Sequence, residues 1–368
     1  MHTHRGPALV ALLMTALLRV DASAETYHVV DIGTVDGFPD GAATGINDAG
    51  LVVGTLFASA TITSAFKYSV SGGLVPLNSF GGVNGAAAFA VNDAGVAVGR
   101  SPVAFGGLSA VRWSSEGVLA LLGSAASASQ VISALAVNSA GEAVGVASTI
   151  SFPPSSSARL WSAEGVVVSS LADAIGGSGS GQGINDAGQV AGTFQKTFLT
   201  TGAFRWSEAA GFEELLGLPD ATLSSASGIN EAGIAVGTSG TSSSSTLATS
   251  WTTPSQPLSL GVLSGGTRSD AKAINDLGAI VGFSDTTEGQ HAIVWDNVDG
   301  MRDLNALCDA ADIGMTLVVA TAINASGQIA GQGEVAGHQH AFLATPVPEI
   351  GAAWPALAAL LWLRRRRA

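Results

Sequence analysis

A ten-residue motif that recurs seven times constrains this chain more than any other feature. Its first copy spans residues 45–54, and every copy holds an Asn followed three residues later by a Gly. The seven pairs are Asn47/Gly50, Asn92/Gly95, Asn138/Gly141, Asn185/Gly188, Asn230/Gly233, Asn275/Gly278 and Asn324/Gly327. Successive Asn residues are 45 to 49 positions apart, a period typical of repeats that each supply a four-stranded sheet. The period therefore predicts one repeat domain.

Within each copy, the Asn and the Gly predict a tight turn between two strands. Asn is favoured at the first position of a type I turn and Gly at the fourth. The alternative is a calcium site, because Asp48 follows the Asn in the first copy and other copies match it. Calcium takes about six to eight oxygen ligands, but each turn offers at most one carboxylate, and Ser139 or Ala325 replaces it elsewhere. We therefore interpret these turns as structural.

The flanking segments predict the other strands of each repeat. Small residues alternate along the strand before the turn, as at Ala43 and Gly45, which suits an innermost strand in close contact with others. A third strand carries an aromatic residue that we expect to fill the space between sheets rather than to stack on sugars. This series is Tyr68, Trp113, Trp161, Trp206, Trp251 and Trp295, with Ala344 in the last copy. The Ser- and Thr-rich tract at 239–245 is expected to be a solvated loop.

The two ends of the repeat region predict how the domain closes. An apolar fourth strand follows the third in six copies, while the seventh copy ends after its third strand. Residues 27–33 resemble a fourth strand that stands before the first copy. We therefore predict an all-β, seven-bladed β-propeller over residues 25–345, with four strands per blade and with the N-terminal strand completing the last blade. A β-solenoid and two stacked sandwiches are the alternatives.

Residues 1–24 have the pattern of a secretory signal peptide. A weakly basic start precedes an apolar run that is too short to span a membrane. Ala22 and Ala24 form a small-x-small cleavage site, which makes Glu25 the new N-terminus. This pattern predicts export.

Residues 346–368 have the pattern of a second sorting segment. Val347, Pro348 and Glu349 precede a mostly apolar run of about 14 residues, which is short for a stable span of about 20. A basic cluster that is expected to stay cytoplasmic closes the chain. Its members are Arg364, Arg365, Arg366 and Arg367. The pattern predicts transient anchoring in the inner membrane.

Charge and cysteine content narrow the range of partners. Removing residues 1–24 and the four terminal arginines leaves 9 Lys and Arg against 27 Asp and Glu, a net charge of −18. Such a surface repels phosphate backbones, so we expect no nucleic-acid partner. Cys308 is the only cysteine, which excludes an intrachain disulfide, and we interpret it as a small buried hydrophobe.

The sequence predicts no catalytic, cofactor or metal site. His338 and His340 share a strand face, but no third ligand stands near them in the sequence. No Gly-x-Ser-x-Gly motif introduces a catalytic triad. Close carboxylates that could serve a glycosidase are better explained as solvated surface groups. These pairs are Asp36/Asp40, Glu213/Glu214, Asp285/Glu288 and Asp309/Asp312.

Two resemblances add to this interpretation. The repeats resemble the HAF family of probable extracellular repeats, through His-Ala-Phe at 340–342, weaker copies such as that at 291–293, and Asp-Leu-Asn at 303–305. The tail resembles a PEP-CTERM sorting signal, although Ile350 stands where that family usually has a second Pro. The latter resemblance implies an exosortase and a Gram-negative bacterium that makes exopolysaccharide. Neither resemblance implies a catalytic residue.

The combined interpretation is a non-enzymatic interaction module that is exported to the cell surface or beyond. Its expected partners are a signal peptidase, an exosortase-type enzyme, and extracellular polysaccharide or a surface protein. The first alternative is a carbohydrate-active hydrolase or lyase on the same fold, which a cluster of carboxylates or His at one channel mouth would favour. The second is a purely structural matrix protein without a discrete ligand.

Overall fold

The computed structural model describes residues 26–82, 85–104, 106–150, 155–171 and 176–347. These residues form 28 β-strands and two short 3₁₀ helices, Leu304–Leu307 and Ala310–Ile313. The prediction of an all-β fold is confirmed. No helix within the described ranges is both long and apolar enough to cross a membrane.

The strands fall into seven units of four, numbered by the Asn turn that each contains. Units 1 to 4 are β2 (Asp40–Ile46), β3 (Val52–Phe57), β4 (Thr63–Ser69) and β5 (Gly73–Pro76); β6 (Ala87–Val91), β7 (Ala97–Pro102), β8 (Leu108–Trp113) and β9 (Leu119–Gly123); β10 (Gln130–Val137), β11 (Ala143–Thr149), β12 (Ser155–Trp161) and β13 (Val167–Ser170); and β14 (Gly179–Ile184), β15 (Val190–Gln195), β16 (Thr201–Ser207) and β17 (Gly211–Leu215).

Units 5 and 6 continue the pattern, and unit 7 combines the two ends of the described chain. Their strands are β18 (Leu223–Ile229), β19 (Ala235–Ser242), β20 (Ser245–Trp251) and β21 (Pro257–Gly261); β22 (Ser269–Ile274), β23 (Ile280–Asp285), β24 (Gln290–Asp296) and β25 (Gly300–Asp303); and β26 (Met315–Ile323), β27 (Ile329–Val335), β28 (His338–Val347) and β1 (Thr26–Gly33). Within every unit, neighbouring strands pair antiparallel in a meander. Units 2 and 3, and units 4 and 5, also touch through one parallel residue pair each.

Strand β1 is the fourth strand of unit 7. It pairs antiparallel with β28 over its whole length, from Thr26 opposite Val347 to Gly33 opposite Ala341. The pairing joins residues that are about 300 positions apart in sequence, so it places the two ends of the described chain in one sheet. Strand β28 continues to Val347, two residues beyond the predicted domain boundary at 345.

The tract at 239–245 was predicted to be a loop, and this prediction is wrong. Strand β19 runs to Ser242 and β20 begins at Ser245, so most of the tract is paired backbone. Ser239 is buried, and its hydroxyl accepts a 2.8 Å hydrogen bond from the backbone N–H of Leu218. A buried Ser that satisfies a backbone donor is stable inside a strand, which composition alone could not indicate.

The hydrophobic core is divided among the boundaries between units. Seven clusters of buried residues occur in the described ranges, and each joins two successive units. Trp113 of unit 2, for example, packs with Val53 and Ala65 of unit 1. One cluster joins unit 7 to unit 1, through Leu343 and Leu56 among others. Most of the aromatic series therefore fills the space between sheets, as burial of large rings favours.

Candidate functional site

The seven Asn turns meet around one cavity, and we call this region the turn mouth. The cavity measures about 280 Å³ and is lined by residues from every unit. Each turn closes in the same way: in unit 1 the N–H of Gly50 donates to the carbonyl of Asn47 at 3.0 Å, and Gly50 has a φ of +76°. A residue with a Cβ adopts such a φ only at a cost, which explains the recurrent Gly.

The turn glycines of the other units repeat this geometry. Across the seven turns, the distance from the Gly nitrogen to the Asn carbonyl oxygen is 2.9 to 3.1 Å, and φ of the Gly lies between +71° and +86°. These residues are Gly95, Gly141, Gly188, Gly233, Gly278 and Gly327. None of the seven turn glycines lines the cavity at the turn mouth. They shape the backbone of the turns and are not part of a binding surface there.

Each Asn side chain also binds the next unit. In unit 1, Oδ1 of Asn47 accepts the N–H of Leu51 at 2.9 Å, while Nδ2 donates to the carbonyl of Asn92 at 3.0 Å. All seven Nδ2 groups make this contact, and Asn324 returns it to Asn47. The seven Asn residues are between 2% and 6% exposed. The side chains thus form a closed cycle of buried hydrogen bonds, the Asn ring.

The acidic residues beside the Asn ring are also bound to a neighbouring unit. Oδ1 of Asp93 accepts the backbone N–H of Asp48 at 2.8 Å, and Oδ1 of Asp48 accepts that of Ala325 at 2.9 Å. The same contact recurs at Asp186, Glu231 and Asp276. Five carboxylates therefore serve as acceptors between units. This explains why an acidic residue recurs after the Asn and why Ser or Ala breaks the pattern without breaking the turn.

Glu231, one of the five carboxylates at this mouth, has a raised pKa. Burial raises the pKa of Glu231, and the negative charges of Asp186 and Asp276 raise it further. The hydrogen bond from the N–H of Asp186 opposes the rise without cancelling it. The raised pKa is thus explained by partial burial and by the neighbouring carboxylates, and it does not require a catalytic role.

The first strand of every unit contains a β-bulge, a feature that was not predicted from the sequence. Pairing shifts by one residue next to the small residues, so that the backbone of Thr44 in unit 1 is not paired with a residue of β3. The other units shift at the equivalent position. Thr44 donates to the carbonyl of Ala88 in unit 2 at 2.8 Å. A bulge redirects a side chain, and here it points toward the neighbouring unit.

The bulged residues line a second cavity shared by the units, the bulge mouth. This cavity measures about 250 Å³. The residues are chemically unlike one another, and they are Thr44, Phe89, Leu135, Gln182, Ser227, Lys272 and Thr321. Lys272 is paired with Asp270 at 2.7 Å. Such a set has no repeated chemistry that would define a ligand.

The last Gly of each motif is explained by the bulge. Gly54 lies opposite Ala43, next to the bulge. A Cβ added at this Gly would lie between 1.9 and 2.2 Å from a carbonyl oxygen of the first strand in all seven units. The recurrent Gly was visible in the sequence, but the reason for it was not. Gly45 instead faces the next unit, where an added Cβ would lie 3.0 Å from Cα of Ala90.

All four described histidines pair with an Asp carboxylate through Nδ1. His291 contacts Asp303 at 2.7 Å, and His340 contacts Asp31 at 2.8 Å. These two pairs occupy equivalent positions, because each links the third and fourth strands of its unit. The other pairs are His28–Asp309 and His338–Asp40. His338 and His340 therefore have separate partners and do not form a joint site.

Several of the carboxylates considered for hydrolysis are held by other groups. Glu213 binds Arg205 and Glu214 binds Lys196. Asp40 accepts the N–H of Gln339 at 2.9 Å. Among the residues that the structure describes, no group of three or more His, Cys, Asp and Glu is arranged to hold a metal ion. Cys308 was predicted to be buried, but it is only partly buried where it packs beside β1, because it lies on the connection outside the sheet. This partial burial raises the pKa of its thiol.

The targeting segments lie almost wholly outside the described residues. This holds for the cleavage site at Ala22, Ala24 and Glu25, and for Pro348, Glu349 and the arginine cluster. Val347 is described and ends strand β28. The export predictions therefore stand as predictions.

Comparison with known proteins gives a distant likeness of fold. No family model and no curated protein sequence matches the chain. Among solved structures, it is similar to a puromycin hydrolase (14% identity, 73% of this chain and 45% of that one, TM-score 0.46). It is also similar to TolB from Acinetobacter baumannii (13% identity, 81% of this chain and 80% of that one, TM-score 0.41). A third similar structure is the fucose-recognising, six-bladed lectin of Aleuria aurantia (9% identity, 75% of this chain and 94% of that one, TM-score 0.38). The chain spans less than half of the puromycin hydrolase. The TM-scores of these three structures lie below 0.5, so none of these likenesses bears on function.

Proposed function

We propose that this chain is a closed seven-bladed β-propeller that acts outside the cell as a non-enzymatic binding module. What supports the closed ring is the Asn cycle, in which Asn324 returns the hydrogen bond to Asn47. The core cluster between units 7 and 1 and the pairing of β1 with β28 support it further. Closure leaves only short outer edges, which favours a stable monomeric ring.

The observation that supports a binding role over a catalytic one is that the acidic groups at the turn mouth are already hydrogen-bonded to the protein. Acid–base hydrolysis of a sugar polymer needs two carboxyls about 5 to 9 Å apart that are free to exchange protons. Here the five carboxylates accept backbone N–H groups of neighbouring units. Protonating one of them would weaken a contact between units. This chemistry suits a scaffold better than a catalyst.

Export and sorting are proposed from the two ends of the sequence. The segment at 1–24 would direct secretion, and the tail at 346–368 would be recognised by an exosortase-type enzyme. Because such tails accompany exopolysaccharide production, extracellular polysaccharide is the ligand class that we favour over a surface protein. The net charge of −18 after removal of both basic ends disfavours strongly anionic polymers.

The proposal is tested with residues 25–347 and the exopolysaccharide of the source organism. Co-sedimentation and the release of reducing ends are scored in the same tube. We expect the protein to sediment with the polymer and no new reducing ends to appear. Release of ends would overturn the non-enzymatic role. The absence of both would leave a structural role in the matrix and would contradict polysaccharide binding.

One observation favours the hydrolase as a second candidate. His291 lines a cavity of about 460 Å³ between units 6 and 7 together with Glu288 and Glu334. Its Nδ1 is held by Asp303, which leaves Nε2 for proton transfer. The matching pair His340–Asp31 argues for a structural role, because it repeats the contact in unit 7. If reducing ends appear, His291→Gln should abolish their release while His340→Gln should not.

A further inference from the structure

A cleft opens between units 3 and 4 on the face that carries the Asn turns. Its volume is about 660 Å³, compared with about 280 Å³ for the cavity at the turn mouth. One wall is formed by Leu160 and Val168 of unit 3, and the other by Trp206 and the turn that follows it in unit 4. Cavities of this size, with an apolar lining and a few polar groups, are typical of sites for small ligands.

Trp206 is more exposed than the tryptophans of units 2, 3 and 5, and it shares this partial exposure with Trp295 of unit 6. Trp113, Trp161 and Trp251 are at most 1% exposed, whereas Trp206 is partly exposed and lines the cleft. Its indole still packs against the core between units 3 and 4. The indole of Trp206 thus packs on the core on one side and borders the cleft on the other. Val168, 59% exposed on the opposite wall, extends the apolar surface.

The polar groups of the cleft are acidic. Glu142, Asp186 and Glu208 border it, and none of the described residues that line it is Lys or Arg. Oε2 of Glu142 accepts Nδ2 of Asn138 at 2.9 Å, and Oδ1 of Asp186 accepts the N–H of Ser139 at 2.7 Å. Hydrogen bonds from the turn of unit 3 therefore hold the carboxylates of Glu142 and Asp186 in place. The cleft attracts cations and hydrogen-bond donors and repels anions.

We propose that this cleft binds an amino-sugar residue of a polysaccharide. The apolar face of the pyranose would stack on Trp206, because apolar surfaces and cations both bind favourably at an indole face. The ammonium and hydroxyl groups would donate to the carboxylates, for which charge-assisted hydrogen bonds are strong. This inference rests on the proposed function and deepens it by naming the site and the class of sugar.

The test is isothermal calorimetry of residues 25–347 with a glucosamine hexamer at low salt. We expect Trp206→Leu to weaken binding about tenfold, whereas Trp206→Phe, which keeps an aromatic face, should change it by less than about threefold. Trp295→Leu is the matched control, since Trp295 is the partly exposed aromatic residue at the same repeat position in unit 6. It should bind as the unchanged protein does.

A second variant tests the cleft at an exposed residue, where substitution should not disturb folding. Glu208 is exposed, so Glu208→Gln should fold normally and should weaken binding about threefold at low salt and less at high salt. An alginate oligomer of similar length, which is anionic, should not bind. The proposal is overturned if the unchanged protein does not bind the hexamer, if Trp206→Leu and Trp295→Leu bind equally, or if alginate binds more tightly. Co-sedimentation of Trp206→Leu with the exopolysaccharide would then show whether the wider binding function survives without the cleft.

Discussion

Asn324 and Asn47 are 277 residues apart, and Nδ2 of Asn324 donates a 3.0 Å hydrogen bond to the backbone carbonyl of Asn47. Six equivalent bonds connect the other neighbours in the Asn ring. Each Asn side chain therefore makes two hydrogen bonds, one within its own turn and one to the backbone of the next unit. The first prediction concerns this double role.

Replacing Asn185 with Ala should lower the free energy of unfolding by about 2 kcal/mol, because it removes two hydrogen bonds and leaves the N–H of Gln189 without its acceptor, while the carbonyl of Asn230 keeps the N–H of Gly233. Asn185 binds the carbonyl of Asn230 at 3.0 Å and the N–H of Gln189 at 2.9 Å. Chemical denaturation measures the effect, and Asn297→Ala, at an exposed turn, serves as the control with a change within about 0.5 kcal/mol. Equal effects of the two substitutions would contradict the role of the Asn ring.

The near-isosteric substitution Asn185→Asp gives a pH-dependent version of this test. A carboxylate oxygen would replace the Nδ2 donor and face the carbonyl of Asn230, so burial without a donor should raise the pKa of the new carboxyl group. A raised pKa in the folded state means that stability is greatest at low pH and is lost as pH rises through that value. The deficit relative to the unchanged protein should therefore shrink between pH 7 and pH 4. A deficit that stays constant would count against the hydrogen-bond assignment.

The second prediction separates two glycines in unit 5. Gly237 is the last Gly of its motif, and an added Cβ would lie 2.0 Å from the carbonyl oxygen of Ser225. Gly237→Ala should therefore lower stability by about 2 kcal/mol or more. At Gly228 the nearest atom would be 3.3 Å away, and Ala occupies this position in unit 6, so Gly228→Ala should cost less than about 1 kcal/mol. Thermal unfolding of both variants measures the difference, and the reverse order would contradict the bulge geometry.

The third prediction follows from the raised pKa of Glu231, whose causes are burial and then the nearby carboxylates. Because the folded state holds the proton more tightly, ionised Glu231 reduces stability as pH rises through its folded pKa. Glu231→Gln keeps an oxygen acceptor for the N–H of Asp186 and removes the charge. It should be more stable than the unchanged protein at pH 7, by less than about 1 kcal/mol because the group is largely exposed. The gain should vanish near pH 3, and a gain that persists there would refute the electrostatic explanation.

The fourth prediction concerns Asp309, which joins the connection between units 6 and 7 to β1. Burial tends to raise the pKa of Asp309, but hydrogen bonds from His28 and from the N–H of Val29 outweigh it, so the net pKa is lowered. A lowered pKa stabilises the fold above the unfolded value of about 3.9 and loses that contribution as pH falls. Asp309→Asn should therefore be less stable at pH 6, by under about 1 kcal/mol, and equal near pH 2. Denaturation midpoints at both pH values provide the measurement.

The repeat period, the strand–turn–strand core and the all-β class could be predicted from the sequence because each recurs seven times. The small–x–small stripe before Asn47 and the Gly three residues after it have local physical causes, and recurrence in the other copies separates them from chance. Recurrence also showed that Gly54 matters, but the β-bulge opposite it depends on the pairing of two strands. Pairing register leaves no mark on a single sequence.

The partners of side chains were less predictable than the strands. His340 was visible as part of a pattern, yet Asp31, its partner, lies more than 300 residues away. Trp206 looked like the other aromatic residues of its series, and only the neighbouring unit makes its surroundings different. The cleft could therefore not be found by comparing copies, because it results from packing between two of them.

The measurement that tests the closed ring most directly is a disulfide across its seam. His28 and Thr345 are directly paired on β1 and β28, and the Cα atoms of antiparallel partners lie within the range that a disulfide requires. A variant with His28→Cys, Thr345→Cys and Cys308→Ser would carry a protease site in the exposed loop at Phe198. After oxidation and cleavage, we predict that the two fragments stay linked on a denaturing gel without reductant and separate with it. Fragments that separate without reductant, as they should in a control that combines His28→Cys with Leu258→Cys, would contradict the pairing that closes the ring.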